Sequence, residues 1–143
     1  MQVSTSEMSV SARFAALTEL MQWLEREANM LESDQVKRMQ LVTEELFANS
    51  INHGYGTECD ATISLVLNID AERVNLIYRD SAKPFDLLSA QPLPASTDRI
   101  GGIGLNLIRA LASAIRYQYK NGHNIIELDF SRDKACLPKG RCT

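Results

Sequence analysis

Hydrophobic residues recur in steps of three and four in three parts of the chain, which is the spacing of amphipathic helices. The first helix is predicted over residues 14–28, and the second follows the capping residues Glu32-Ser33-Asp34. The glycines Gly54 and Gly56 are expected to end the second helix. A third helix is predicted over residues 102–113, and the side chains expected to face the core are those of Ile103, Leu107 and Leu111.

Alternating apolar and polar residues predict five strands, near residues 2–6 and over residues 59–70, 74–80, 115–119 and 124–130. The dipeptide Asn121-Gly122 predicts a tight hairpin between the last two strands. Residues 81–101 contain three prolines and little periodicity, which predicts a long loop. This order of elements predicts an α+β fold, a two-layer sandwich in which about three helices cover one face of a mostly antiparallel, mixed sheet.

Composition narrows the class of protein. The 143 residues favour a single domain, which we expect to span residues 1–131, with residues 132–143 as a C-terminal tail. A net charge of −3 argues against direct binding of nucleic acid, and no apolar run is long enough to span a membrane. The three cysteines lack CxxC spacing and the N-terminus lacks the pattern of a signal peptide, which favours a cytoplasmic protein.

The second predicted helix carries polar residues where its apolar stripe should continue. Glu45 and Asn49 are four residues apart and therefore share one face, and Asn52 and His53 extend the polar cluster by a turn. A carboxylate and an amide oxygen aligned in this way can hold a hydrated magnesium ion or a water molecule. A solvated helix face is the simpler interpretation, and Glu44, which points away from Glu45, fits it better.

Two further motifs suggest a bound nucleotide. Asp80 ends a predicted strand and could accept a hydrogen bond from a ligand, although it could instead cap the turn that follows. Phe85 could belong to the core, which we favour, or wall a bound base. The segment Gly101-Gly102-Ile103-Gly104-Leu105 opens a helix with three glycines, whose unobstructed N–H groups could face phosphate. A glycine turn used for packing is the alternative.

These three motifs, in this order, resemble the GHKL ATPase superfamily with its Bergerat ATP-binding fold, and within it the bacterial anti-sigma-factor serine/threonine kinases. Glu45-x-x-x-Asn49 with His53-Gly54-Tyr55 is similar to the N box of that family. The run from Asp80 to Asp86 resembles its G1 box, and residues 101–105 resemble its G2 box. The resemblance covers the chain from the first helix to Phe130.

The resemblance implies roles for individual residues. Asn49 would bind the Mg²⁺ ion that bridges the ATP phosphates, Glu45 would be the general base toward a serine or threonine hydroxyl, and Asp80 would accept the adenine amine. The segment from Gly101 to Gly104 would cradle the phosphates, and Lys83 or Arg99 could reach one of them. The other residues expected at the nucleotide are Asn52, His53, Ala82, Phe85, Ile103 and Leu105.

The same resemblance implies an ATP-dependent kinase that phosphorylates a STAS-domain anti-sigma-factor antagonist and alternates between that partner and a sigma factor or another target. One departure matters, since Ala82 stands where the family has glycine, and its methyl group restricts the approach of the base. Ala82 therefore favours an alternative, a nucleotide-dependent binding module without catalysis. A detached histidine-kinase domain and a metabolic enzyme fit less well. The first helix could serve a homodimer as well as the core.

Overall fold

The computed structural model describes residues 4–89 and 100–132, with the side chains of residues 100–104 left out. The strands of the described chain are β1 (Ser4–Ser11), β2 (Thr62–Ile69), β3 (Arg73–Asp80), β4 (Ala114–Lys120) and β5 (His123–Ser131). The helices are α1 (Leu17–Glu27), α2 (Ser33–Asn49) and α3 (Ile100–Leu111). A 3₁₀ turn, Phe14–Ala16, precedes α1, and a π-helical segment, Ser50–Tyr55, continues α2.

The strands form one sheet in the order β1-β2-β3-β5-β4, and the pairings among these described strands are all antiparallel. The expected mixed character of the sheet therefore has no counterpart in this part of the chain. The α+β class and the two-layer arrangement are confirmed, because the inward residues of the strands and of the three helices form one hydrophobic core. Strand β3 lies in the middle of the sheet, between β2 and β5. These neighbouring strands restrain the backbone that leads to its C-terminal residue, Asp80.

Helix α2 occupies the centre of the helical layer, where it contacts both α1 and α3. The residues that the strand pattern placed inward on β2 are all buried: Ile63, Leu65, Leu67 and Ile69. The predicted inward face of α3 is wrong in part. Leu105 and Ile108 are buried, whereas Leu107 and Leu111 are half-buried and the side chain of Ile103 lies outside the described residues.

Two local signals in the sequence are confirmed. Glu32 caps α2 through a capping box, in which its backbone N–H donates to the side chain of Gln35 at 3.2 Å. Asn121 and Gly122 both have positive φ, 53° and 81°, which is the geometry of the tight turn that joins β4 to β5.

Several element boundaries differ from the predictions. Strand β1 continues to Ser11, because its register with β2 pairs Ser11 with Thr62. Residues 59–61 lie before β2 and are held by single backbone hydrogen bonds to Ala12. Helix α3 begins at Ile100, two residues before the predicted start. The predicted tail and most of the predicted loop lie outside the described residues, as do Arg99, Cys136 and Cys142.

The face of the sheet opposite the helices carries a polar ladder that crosses all five strands. Asn68 accepts from Thr5 Oγ1 at 2.9 Å and donates to Asn75 Oδ1 at 3.0 Å. Asn75 in turn donates to two carboxylates that Arg116 also binds, those of Glu127 and Asp129. Arg116, with help from Asn75, lowers the pKa of both carboxyl groups. The polar residues of this ladder are therefore hydrogen-bonded to one another across the sheet.

Across the two described ranges, no helix combines the length and the apolar character needed to cross a membrane.

Candidate functional site

Glu45 and Asn49 lie on the last two turns of α2, and each presents a buried oxygen that lacks a partner. Glu45 Oε2 and Asn49 Oδ1 are shielded from solvent, and neither forms a hydrogen bond with any residue that the structure describes. Buried polar atoms are normally paired, so two oxygens on one helix face that have no partner within the described structure are candidate groups for binding a ligand. Hard oxygen atoms of this kind fit a hydrated Mg²⁺ ion, which prefers oxygen ligands and retains several waters.

The charge state of Glu45 is tuned by its surroundings. Burial raises the pKa of its carboxyl group, the neighbouring Glu44 raises it further, and His53 acts in the opposite direction. Glu44 itself is exposed, in agreement with the expectation that it is the solvated member of the pair. A carboxylate with a raised pKa binds a proton more readily, which suits a general base.

Of the two glycines predicted to end the helix, Gly54 lies inside its last turn, and Gly56 is its C-cap, with a φ of 84°. From Ser50 onward the helix widens into the π-helical segment. Asn52 and His53 are exposed on this segment. Single π-turns within α-helices occur often at functional sites. Ser50, directly after Asn49, is buried on the same face as Leu46.

Asp80 is buried and its carboxylate is already held by three hydrogen bonds. Oδ1 accepts from the backbone N–H of Ala82 at 3.1 Å and from Asn124 Nδ2 at 2.9 Å. Oδ2 accepts from Ser50 Oγ at 2.6 Å. Because each carboxylate oxygen has two lone pairs, Oδ1 is filled within the described structure and Oδ2 retains one position. Asp80 can therefore accept one further donor, as expected for a residue that binds an amino group.

A short chain of hydroxyl groups connects this carboxylate to α2. The Tyr78 hydroxyl lies 3.1 Å from the carbonyl oxygen of Leu46 and 2.6 Å from Ser50 Oγ. Because the Ser50 hydroxyl donates its one proton to Asp80 Oδ2, the single proton of Tyr78 is shared between the Leu46 carbonyl and the Ser50 oxygen. Burial raises the pKa of Tyr78 well above its ordinary value, so the phenol keeps its proton.

Asn124 is a site residue that the sequence reasoning missed. It is the strand partner of Asp80, and its Nδ2 group lies within hydrogen-bonding distance of Asp80 Oδ1 and of two carbonyl oxygens, those of Ala82 at 3.2 Å and Lys83 at 2.9 Å. Its Oδ1 accepts from the Phe85 N–H and from the Tyr117 hydroxyl. The available signal was an amide at an inward position of a strand whose other inward residues are apolar.

The methyl group of Ala82 faces the end of the helix. Ala82 is buried, and a Cβ atom added to Gly54 would lie 2.8 Å from the Ala82 Cβ. The backbone beside it is tied to the same segment, because the Ser81 N–H donates to the Tyr55 hydroxyl at 2.9 Å. The extra methyl of this chain is thus accommodated by a glycine on the neighbouring element.

Other predicted site residues are placed differently. Phe85 is 56% exposed, so the preference for a core position was wrong. Its apolar side chain follows a proline in a turn that ends outside the core. Gly101, Gly102 and Gly104 form the first turn of α3 rather than a turn before it, and Leu105 is buried in the core. Lys83 is exposed beside the Asp80 turn.

A groove of about 710 Å³ lies at the opposite end of the sheet. Its walls carry both guanidinium and carboxylate groups, from Arg73, Arg132, Glu72 and Asp129. Among the motif residues whose side chains the structure describes, none lines it.

Comparison with known proteins agrees with this geometry. The histidine kinase-like ATPase domain family matches residues 10–130. The serine/threonine-protein kinase BtrW of Bordetella bronchiseptica is 31% identical over 135 residues, which cover 89% of this chain and 92% of BtrW. The serine-protein kinase RsbW of Listeria innocua is 24% identical over 107 residues, which cover 69% of this chain and 68% of RsbW.

Solved structures support the fold. The RsbU and RsbW domains of a Mycobacterium tuberculosis protein superpose with a TM-score of 0.64 at 17% identity, over 90% of this chain and 32% of theirs. A blue-light activated histidine kinase of Erythrobacter litoralis gives a TM-score of 0.59 at 13% identity, over 86% of this chain and 43% of its own. This chain thus spans less than half of each of those solved chains. The family match and the sequence relatives agree, and the chain belongs to the histidine kinase-like ATPase family of the GHKL superfamily, with serine- and serine/threonine-protein kinases among its relatives.

Proposed function

We propose that this protein is an ATP- and Mg²⁺-dependent protein serine/threonine kinase of the anti-sigma-factor type. The observation that carries the proposal is a pair of buried oxygens, Glu45 Oε2 and Asn49 Oδ1, one turn apart on α2, that have no hydrogen-bond partner among the described residues. Ser50, the residue after Asn49, binds the carboxylate of Asp80, which is buried at a strand end and keeps one acceptor position. A base-reading acceptor and a metal-binding face on adjoining elements suit a nucleoside triphosphate.

The proposed roles follow from these positions. Asp80 Oδ2 accepts a hydrogen bond from the amino group of adenine, and Asn49 Oδ1 would hold Mg²⁺. The ion would supply neutralisation of phosphate charge, which is a large part of catalysis in phosphoryl transfer. The N–H groups of the first turn of α3 face the phosphates, as helix N-termini do in other phosphate sites.

Glu45 accepts the proton of the substrate hydroxyl. The hydroxyl oxygen forms a bond to the γ-phosphorus while the bond from that phosphorus to the β,γ-bridging oxygen breaks, and ADP leaves. The proton resides on Glu45 until it is released to solvent. The raised pKa of this carboxyl group favours proton uptake, because the charged form is partly desolvated.

The proposed substrate is a serine or threonine of a STAS-domain anti-sigma-factor antagonist. The kinase would hold the unphosphorylated antagonist, release it after phosphorylation, and then be free to bind a sigma factor or another regulatory target. The named relatives are serine and serine/threonine kinases, which supports the reaction class.

The direct test incubates purified protein with Mg²⁺, radiolabelled ATP and the STAS-domain proteins encoded near it, and follows transfer of label to serine or threonine. Asn49→Ala is expected to abolish magnesium-dependent binding of ATP in calorimetry. Wild-type protein that binds Mg²⁺–ATP but labels no antagonist would favour the non-catalytic binding module. In that case Glu45→Ala would keep full regulatory activity in cells.

A further inference from the structure

Asn124 uses its whole side chain to shape the turn after β3. Its Nδ2 group faces three oxygen atoms, Asp80 Oδ1 and the carbonyls of Ala82 and Lys83. Its Oδ1 faces two donors, the Phe85 N–H at 3.0 Å and the Tyr117 hydroxyl. The residue is 4% exposed, so water does not replace these bonds.

We propose that Asn124 is a positioning residue that fixes which oxygen of Asp80 reads the nucleotide base, and that it thereby determines selection for a base with an amino group. This inference rests on the proposed binding of ATP and extends it to the basis of base selection.

The orientation of the Asn124 amide admits one arrangement. If the amide were rotated by half a turn, its oxygen would face three oxygens and its NH₂ group would face the Phe85 N–H, so these four contacts would become repulsions. The Tyr117 hydroxyl can donate or accept, so it tolerates both orientations. Asn124 is therefore a rigid donor toward Asp80.

The hydrogen bond from Asn124 determines which oxygen of the Asp80 carboxylate is left to bind a ligand. Asn124 Nδ2 and the Ala82 N–H together fill Oδ1, so the position left for a ligand is on Oδ2, beside Ser50. Without Asn124 the carboxylate could rotate toward solvent and toward other donors. Asp80 Oδ2 would then no longer be held in one position as an acceptor. A nucleotide whose base has an amino group would therefore no longer bind more tightly than one whose base lacks it.

The chain contains a matched control in Asn75. It is also a strand asparagine, and its Nδ2 group donates to two carboxylates, Glu127 and Asp129, at 2.8 and 2.9 Å. It lies on the open face of the sheet, away from Asp80. Substitution of Asn75 removes bonds of the same kind without touching the proposed base site.

The test compares the affinities for ATP and for purine riboside triphosphate, which lacks the 6-amino group, in wild type, Asn124→Ala and Asn75→Ala. Wild type is expected to prefer ATP by about tenfold or more, as for a hydrogen bond to a charged group. In Asn124→Ala the ratio of the two dissociation constants is expected to fall toward one. In Asn75→Ala the ratio is expected to stay at the wild-type value, whatever the change in stability.

Chemical denaturation monitors folding of each variant. If Asn124→Ala does not fold, the near-isosteric Asn124→Leu carries the test, because it keeps most of the volume of the side chain and removes the donor without placing a second carboxyl group beside Asp80. It is expected to lower the ratio as well.

The outcomes separate the two proposals. A wild type that binds neither nucleotide would overturn the proposed function, and this inference with it. A wild type that binds both nucleotides equally would leave nucleotide binding standing and overturn base reading by Asp80. A folded Asn124 variant that loses affinity for both nucleotides by the same factor, and so keeps the ratio, would show that Asn124 supports the fold alone.

Discussion

Ser50 Oγ lies 2.6 Å from Asp80 Oδ2, and this hydrogen bond joins the end of α2 to the end of β3. Ser50 follows Asn49 directly in the chain, so the proposed metal ligand and the proposed base acceptor are connected through one side chain. Ser50 is the first residue of the π-helical segment and is buried, so the connection lies inside the protein.

Substitution of Ser50 by alanine should weaken both the fold and the nucleotide site. The change removes a hydrogen bond to a buried charged group and one partner of Tyr78, so the free energy of unfolding should fall by about 1.5–3 kcal/mol. Affinity for Mg²⁺–ATP should fall as well. Urea denaturation and calorimetry measure the two effects. Ser64→Ala is the control, since Ser64 is also buried but accepts one long bond, 3.3 Å, from Arg79. Equal losses of ATP affinity in both variants would contradict the link between Ser50 and the site.

Glu45→Gln should separate binding from transfer. The amide keeps the shape of the side chain but cannot take the proton, so the rate of phosphoryl transfer should fall by about 10²- to 10⁴-fold. Affinity for Mg²⁺–ATP should change little, because Asn49 and Asp80 are intact. Glu44→Gln, at the exposed neighbour, should retain most of the transfer rate at pH 8. Single-turnover kinetics with a phosphorylated antagonist as product measures the rate. A Glu45→Gln variant with the wild-type rate would exclude Glu45 as the base.

The acidic limb of the pH–rate profile should move in opposite directions in two variants. The base must be ionised, so transfer is lost as the pH falls through the raised pKa of Glu45. Glu44→Gln removes a charge that raises this pKa, and the limb should move to lower pH. His53→Ala removes an influence that lowers it, and the limb should move to higher pH. The profiles are measured at saturating ATP. Shifts in the same direction would refute the assignment of the limb to Glu45.

Gly54 and Ala82 should behave as a coupled pair. Gly54→Ala places a Cβ atom 2.8 Å from the Ala82 Cβ, so the free energy of unfolding should fall by about 1–3 kcal/mol. Ala82→Gly removes the opposing methyl, and the double variant should regain much of that loss. A double-mutant cycle in urea measures the coupling. Additive effects of the two substitutions on the free energy of unfolding would show that there is no steric coupling between Gly54 and Ala82.

Thr43→Val should leave stability unchanged or raise it. The Thr43 hydroxyl is fully buried and has no hydrogen-bond partner within the described structure. Valine has the same shape and removes the desolvated group, so no bond is lost. Thermal unfolding measures the effect. A loss of more than about 1 kcal/mol would show that the hydroxyl has a partner of its own, such as a water molecule.

The layers of the fold could be predicted because periodicity reports burial directly. The inward aliphatic residues alternate with other residues from Ile63 to Ile69 on β2, and the Asn121-Gly122 turn requires two positive φ values. Both features depend on residues that are neighbours in the sequence. Phe85 was misplaced because its environment depends on how the turn after Asp80 is folded, which neighbouring residues do not encode.

Motif order predicts Glu45, Asn49 and Asp80 as site residues, and it does not predict how their elements are connected. The bonds from Asn124 to Asp80 and from Ser50 to Asp80 join residues that are 44 and 30 positions apart. For Asn124 the sequence offers one signal, an amide on an otherwise apolar strand face. The π-helical segment changes backbone hydrogen bonding, and no pattern along the chain reports it.

The polar ladder on the open face bears on how the strands find one another. If β2 or β3 slipped by one residue, Asn68 or Asn75 would turn to the helical face and be buried among aliphatic side chains without an acceptor. The same slip would expose the aliphatic residues that the core requires. A sheet with the shifted register is therefore destabilised on both faces, by the buried asparagine on one face and by the exposed aliphatic residues on the other. In this way, the asparagines on the solvent-facing side of the sheet favour the native register of the strands over a register shifted by one residue.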